Sequence, residues 1–388
     1  MMHLIYATYQ YFPDFRTNTF QSMSTINEFL KLNYEVDLIY PNRKKQTHNE
    51  DIKKFYNIEK DFNVTPVNHL SKNTYATSSI FNRIIYLINH SLYAYKLKNI
   101  VRSITKDNSI FFTRSAYITY SLGKLNKPIV YEIHQLTKIS TFLIKLIVKD
   151  YKNILFVPVS PGIEKELIEL GLNQNYIECL ETGYDEDLFQ EIEENQKFNK
   201  IQETNIRFIY GGSLTIQGID KGIKNLIECF HEICIEKSLE NIFFDIYCSN
   251  FEEKSELSFF LETKKIANKI NIYDRVSHRE FLGETLNSDI GIIPLPDTHH
   301  VNYYSSSMKY FEFVRANLFI MCSDVLANKR FPYEKQTFYK PSKESIKQAI
   351  LASIEHINKF DDIKHEDVLK YSFSNRTNKI ISKLNHIN

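Results

Sequence analysis

"SSSMKYFEFVRANLFIMCSD", residues 305 to 324, reads as a helix that hands over to a strand. Serines 305 to 307 are good N-cap residues, Met308 to Ala316 has helical character, and Asn317 suits the left-handed position that ends a helix. "LFIMCS" is then an apolar run without strict polar alternation, as expected of a parallel strand covered on both faces. One acid, Glu312, stands among Tyr310, Phe311, Phe313 and Val314. Burying it unpaired would cost several kcal/mol. A ribose diol donating to the carboxylate would satisfy it; so would an ion pair with Lys309 or Arg315, and the residues alone leave both open. The helix start, with its unpaired backbone N–H groups, positive dipole end and Lys309, suits phosphate. Ser306, Ser307, Lys309 and Glu312 are therefore candidate ligand contacts.

The same alternation extends outward in both directions. "HLIYAT", "EVDLIY", "SIFFTR", "IVYEI" and "ILFVPVS" occupy the first half, and "IRFIYGG", "IFFDIYCS", "KINIY", "DIGIIPL" and "LFIMCS" the second. Strands alternating with helical patterns are the mark of βαβ units, so each half should be a parallel, doubly wound α/β sheet. Between them the acidic, polar "QEIEENQKFNKIQETN" (190–205) reads as a linker. This gives a first domain over 1–190, a linker over 191–205 and a second domain over 206–370.

At 388 residues two domains are the natural expectation. With 43% apolar, 14% aromatic and 24% charged residues the chain is a folded globular protein and not a disordered or fibrous one. Its most apolar long segment, "SSIFNRIIYLINHSLYAYKLKNIV", is interrupted by Asn82, Arg83, Asn89, His90 and Lys96, so no membrane-spanning helix is expected. "MMHLIYATYQYFP" resembles a first strand more than a signal peptide, which suggests a cytoplasmic protein. Cys179, Cys229, Cys234, Cys248 and Cys322 lack metal-ligand spacing and read as core filler. Net charge is +1, yet residues 1–160 hold 21 Lys and Arg against 11 Asp and Glu. A basic half beside an acidic half fits either an anionic surface partner or ordinary solvated lysines.

In open parallel sheets ligands sit beyond the carboxyl ends of the strands. At one such end "FIYGGSLTIQGIDKGIKNL" offers Gly212 and Ser213 for close backbone approach and Lys221 at a helix start, a plausible diphosphate cradle, although such glycine turns serve plain packing too. It matches neither the dinucleotide fingerprint nor a Walker loop. "VYEIHQL" places His134 just past a first-domain strand, where it could polarise a reacting centre or serve structure. No metal-ligand cluster and no serine triad pattern is found.

Taken in order, these motifs resemble the family 4 glycosyltransferases, retaining enzymes of the GT-B fold. "SSMKYFEFVRANLFIMCSD" resembles that family's Pro-x-Lys-Leu-Phe-Glu-Tyr helix and following strand, with Lys309, Phe311, Glu312 and Asp324 matching. "VPVSPGIEKEL", "ETGYDEDLF" and "DKGIKNLIECF" resemble further family segments. "YSFSNRTNKII" resembles the final helix that crosses back to the first domain, here 371–388. The resemblance implies two Rossmann-like domains facing a cleft, the second holding a nucleotide-sugar donor and the first its acceptor. It assigns Glu312 to the donor ribose, Lys221 to the leaving diphosphate, and His134 to the active-site histidine near the transferred sugar. Gly212, Ser213, Ser306, Ser307 and Lys309 would complete the donor site, and Arg16, Thr17 and Asn18 the acceptor-side loop.

A glycan or lipid-linked glycan acceptor, in bacterial cell-surface polysaccharide synthesis, is what the family implies. The basic first half would then contact the anionic inner membrane face, with no nucleic acid partner, no metal and no cofactor beyond the co-substrate. Ser213 stands where the family has a phosphate-binding arginine, Tyr304 where it has a second acid, and Gln217-Gly218 offers a second alignment for the glycine loop. These departures keep other readings open: a catalytically degenerate GT-B protein acting as a partner or glycan-binding subunit, and, on the same fold, a nucleotide-sugar epimerase or sugar-phosphate transferase.

Overall fold

A computed structural model describes residues 1–387 apart from 43–48, 69–79, 196–204 and 267–268. β1 (His3–Ala7), β2 (Glu35–Asn42), β3 (Asn63–Asn68), β4 (Ser109–Thr113), β5 (Ile129–Ile133) and β6 (Ile154–Pro158) form one sheet, ordered β3-β2-β1-β4-β5-β6. After β7 (Ile206–Gly212) comes a hairpin of β8 (Thr215–Ile216) and β9 (Ile219–Asp220). β10 (Ile242–Cys248), β11 (Ile270–Tyr273), β12 (Ile290–Ile293), β13 (Phe319–Ser323) and β14 (Gln336–Tyr339) follow, and the second sheet is ordered β11-β10-β7-β12-β13-β14. Every pairing within the two six-stranded sheets is parallel.

All residues of β1, β4, β5, β6 and β13 are buried, because helices cover both faces and polar alternation has no solvent side to serve. Successive residues feed opposite layers: Phe319 and Met321 of β13 pack in one core, Ile320 and Cys322 in the other. Both sheets have the strand order that reverses beside its first strand, between β1 and β4 and between β7 and β12. There the outgoing loops diverge and leave a crevice at the carboxyl ends.

The chain divides into Met1–Thr182 with Phe373–Asn388, and Gly183–Ser372. Helix Phe373–Ile387 lends Ile380 and Leu384 to the core of the first unit. The stretch expected as a linker is helical at its start: helix Glu186–Asn195 buries Ile192, and its Glu193 pairs with Arg315, so its charges are engaged and not merely solvated. Residues 196–204 lie outside the described part. β3 and β14 escape the sequence reading because they are polar strands, NVTPVN and QTFY, at one edge of each sheet, and β3 carries Pro66, which an edge tolerates, whereas the opposite edges β6 and β11 are apolar enough to be read. Among the described residues no helix is long and apolar enough to cross a membrane. Cys229, Cys234, Cys248 and Cys322 are buried and Cys179 half-buried, none in a disulfide.

Candidate functional site

In the second unit β7 ends in Gly211-Gly212. A Cβ on Gly211 would stand 2.2 Å from Phe281 Cε2, so only glycine lets the strand lie on that ring. Gly212 has φ +135°, which favours glycine. Glu253 braces the next turn by accepting from the Leu214 N–H at 3.0 Å and from the Ser249 hydroxyl at 2.5 Å. Ser213 donates its hydroxyl to the Thr215 carbonyl, and the Tyr210 hydroxyl donates to the Ser213 carbonyl. The β8–β9 hairpin turns on Gln217 and Gly218, both at positive φ, the two-residue turn matched to strand twist. Gln217-Gly218 is thus a hairpin tip, and the hairpin lies between the glycine loop and Lys221.

Lys221 brings the chain back to the loop, its N–H bonding to the Leu214 carbonyl at 3.0 Å and its Nζ donating to Tyr210 Oη at 3.3 Å. Lys309 arrives from helix Met308–Arg315: its Cε lies 3.8 Å from where a Gly212 Cβ would stand, and its Nζ sits 4.3 Å from the centre of the Phe281 ring. Burial, and then the nearby Lys309 charge, lower the Lys221 ammonium to about 8, with Glu253 pulling the other way. Burial lowers Lys309 too, opposed by Glu312. Two cations are thus crowded beside a glycine loop at the strand-order reversal. Ser307 caps the Lys309 helix without a side-chain capping bond, and Ser306 precedes it.

Glu312, one turn further, is 1% exposed. Its Oε1 accepts from His278 Nε2 at 2.7 Å, while its buried Oε2 has no hydrogen-bond partner among the described residues. Burial alone would raise its pKa, but the charge and hydrogen bond of His278, with Lys309, turn the shift downward and favour the carboxylate. The ion-pair alternative of the sequence is therefore half answered. Arg315 instead grips Glu186 and Glu193 through four bonds of 2.8 to 3.0 Å, and one Glu312 oxygen is left over. His278 is the residue the sequence reading missed. Its signal was the capping box of Ser277 and Glu280, which fixes His278 as the first helical residue after β11. Tyr304 is half-buried, edge-on to His299 and His300.

The first unit holds a second cluster at the carboxyl ends of β1, β4 and β5. Glu132, within β5, is wholly buried. Its Oε1 accepts from His134 Nε2 at 2.6 Å and lies 3.1 Å from Arg114 Nε, while its Oε2 accepts from Arg376 Nη2 at 2.6 Å. Burial raises its pKa, yet Arg376 and Arg114 overwhelm that and hold it well below the carboxylate range. Burial, then Arg114, lower His134 to about 4 against the Glu132 bond, so the ring is neutral at pH 7. His134 Nε2 also meets Arg114 Nη2, so this one ring nitrogen faces both a carboxylate and a guanidinium. Arg114 also donates to the Asn18 carbonyl at 2.7 Å, joining His134 to the first turn of helix Thr17–Lys31. Arg16, Thr17 and Asn18 are exposed there, and Arg16 leans on Asp14 at 3.3 Å. Glu132, Arg114 and Arg376 were not singled out from the sequence.

Among the described residues one trio could hold a metal, His3, Glu35 and Asp37. Both His3 nitrogens are engaged, by Ser109 and Asp37, and Glu35 pairs with Lys106, so the group is satisfied within the chain.

No protein-family model and no curated protein sequence matches the chain. Solved structures do match over its whole length. The trehalose-6-phosphate phosphatase N-terminal domain of Candida albicans superimposes with a TM-score of 0.74 at 12% identity, covering 100% of this chain and 97% of that one. Anabaena HepE in complex with UDP-glucose gives 0.64 at 10% identity, with 98% and 100% covered. An E. coli structure, described as trehalose-6-phosphate bound with UDP-2-fluoro glucose, gives 0.66 at 11% identity, with 98% of each chain covered. At such identities the likeness is one of fold: the chain has the GT-B architecture of two Rossmann-like units.

Proposed function

We propose that the protein is a glycosyltransferase that moves a sugar, with retention of configuration, from a nucleoside diphosphate sugar to a hydroxyl of a glycan or lipid-linked glycan. A role in bacterial cell-surface polysaccharide synthesis, at the cytoplasmic side of the membrane, follows from that acceptor class. The observation that carries the reading is Glu312: a buried carboxylate with one oxygen fixed by His278 and the other unbonded, one helical turn from Lys309 and the glycine loop. A ribose diol would satisfy the unbonded oxygen while the diphosphate met Lys309 and Lys221. Similar folds described with UDP-glucose agree with such a donor.

The leaving diphosphate gains charge as the glycosidic bond breaks, so Lys221 and Lys309 stabilise the transition state more than the ground state. Neutral His134, its ring held between Glu132 and Arg114, would contact a hydroxyl of the transferred sugar. Thermal denaturation with UDP, GDP, ADP and CMP sugars is the direct test. At least one should stabilise the protein in a concentration-dependent manner, by about 2.7 kcal/mol at a hundredfold excess over its dissociation constant. No shift with any of them would overturn the reading.

Lys221 adds a pH signature. With its pKa near 8 it binds diphosphate as a preformed cation below that pH, and must take up a proton to do so above it. Affinity should stay flat below pH 8 and fall by up to about tenfold per unit above it. Titration calorimetry in buffers of different ionisation enthalpy would detect the proton uptake, and Lys221→Met should abolish it.

A second reading, a degenerate GT-B protein that binds glycan or a partner without catalysis, is favoured by Ser213 and Tyr304. Transfer from any donor to a membrane glycolipid extract would eliminate it.

A further inference from the structure

Behind His134 the first unit carries a positive charge that has no counter-charge among the described residues. Arg114 and Arg376 share a single carboxylate, Glu132, and neither guanidinium lies within ion-pair reach of a second described acid. His134 is neutral at pH 7 and adds nothing to the sum. The side chains of Arg114, Glu132 and Arg376 are 1 to 8% exposed, so water screens the surplus little. A charge buried in that way is normally paired, because its desolvation is otherwise uncompensated.

Two donors of the same cluster are also unanswered. Arg376 uses Nη2 on Glu132 and Nε on the Glu181 carbonyl at 3.1 Å, while its buried Nη1 has no hydrogen-bond partner among the described residues. Gln21, 3% exposed on helix Thr17–Lys31, accepts from Arg114 Nη2 at 3.1 Å through Oε1, and its buried Nε2 likewise has no partner among them. Turning the amide over would not help, since it would set one N–H against another. Buried donors are met by water or by an ion. Water would answer the donors and leave the charge; an anion answers both. One surplus charge and two donors fit a singly charged oxyanion with two free oxygens, a carboxylate or a phosphodiester.

We propose that the acceptor carries such an anionic group, and that Gln21, Arg114 and Arg376 receive it beside His134, whose side chain reaches solvent with 30% exposed. That the ligand is the acceptor rests on the transferase reading above; that it is an anion rests on the cluster. The hydroxyl that takes the sugar then belongs to an acidic glycan, bearing a uronate or a phosphodiester, and not to a neutral one.

Thermal denaturation of the full chain with glucuronate, dimethyl phosphate and neutral glucose, at an ionic strength held constant with chloride, tests it. Glucuronate or dimethyl phosphate should stabilise the protein at concentrations at least about tenfold below those that glucose needs, and the more effective of the two names the group. Protein carrying Lys221→Met with Lys309→Met, which lacks the second-unit cations, should respond as the parent does. Gln21→Leu should weaken the response about tenfold by removing one donor, and Arg114→Met should lower it to that of glucose, because Glu132 and Arg376 then balance. Gln21→Leu leaves every ion pair of the cluster in place, so circular dichroism should match the parent and the test stands even where Arg114→Met unfolds. Equal responses to glucose and to both anions would overturn the proposal, water then being what meets the two donors. So would an anion response that is lost with Lys221 and Lys309, or one that Gln21→Leu leaves unchanged. Anion stabilisation without any nucleotide-induced shift would instead sink the transferase reading and leave the anion site standing.

Discussion

Glu312→Ala is expected to weaken binding of the nucleoside diphosphate sugar by about tenfold to a hundredfold, the cost of losing hydrogen bonds to a charged acceptor. The unliganded protein should change little in stability, because the His278 bond and the Lys309 charge that favour the carboxylate oppose the cost of its burial. In the free protein Glu312 Oε2 is buried without a hydrogen-bond partner among the described residues, and desolvating such an atom costs on the order of 1–3 kcal/mol. Removing the carboxylate relieves that cost and gives up one bond from His278. Weaker ligand binding in a protein of nearly unchanged stability would mark a group kept for its ligand. Titration calorimetry with the ribonucleotide and its 2′-deoxy analogue isolates the contact: the analogue should bind parent and variant alike. Unchanged affinity for the ribonucleotide would refute the ribose assignment.

Arg376→Ala should act in the opposite way, costing about 3–5 kcal/mol of stability while leaving donor affinity unchanged. Its guanidinium meets the wholly buried Glu132, and removing it strands a carboxylate that burial penalises. Urea unfolding followed by fluorescence should show an earlier transition for the unit containing the first 182 residues. Glu132→Gln, which keeps the shape and removes the charge, should unfold later than Arg376→Ala yet still lose turnover, because His134 and Arg114 would lose the carboxylate that holds them together. Full activity in Glu132→Gln would show that this cluster only supports the fold.

The central strands were legible because parallel strands covered on both sides must be apolar throughout, and the glycine loop because backbone at a strand end announces itself. Edge strands β3 and β14 obey neither rule. The candidate site was half legible, for one physical reason. Glu312 and Glu132 give the same signal, an acid inside an apolar run, and each demands a partner. The partners lie elsewhere in the chain, His278 at 34 positions from Glu312 and Arg376 at 244 positions from Glu132. An acid can be recognised as needing a cation from local sequence. Which cation answers is decided by how the strands are ordered.

Helix Phe373–Ile387 belongs to the unit formed by the first 182 residues, and that has a consequence for synthesis. A chain emerging from the ribosome can fold Gly183–Ser372 as a contiguous piece, but the unit made first cannot be finished when its own strands are out. Until residues 373 onward appear, the places of Ile380 and Leu384 in its core stand open, and Glu132 lacks its principal counter-charge. The half of the protein translated first is the half completed last. A released chain that ends just before Phe373 should therefore leave the first 182 residues open to protease while the later unit resists.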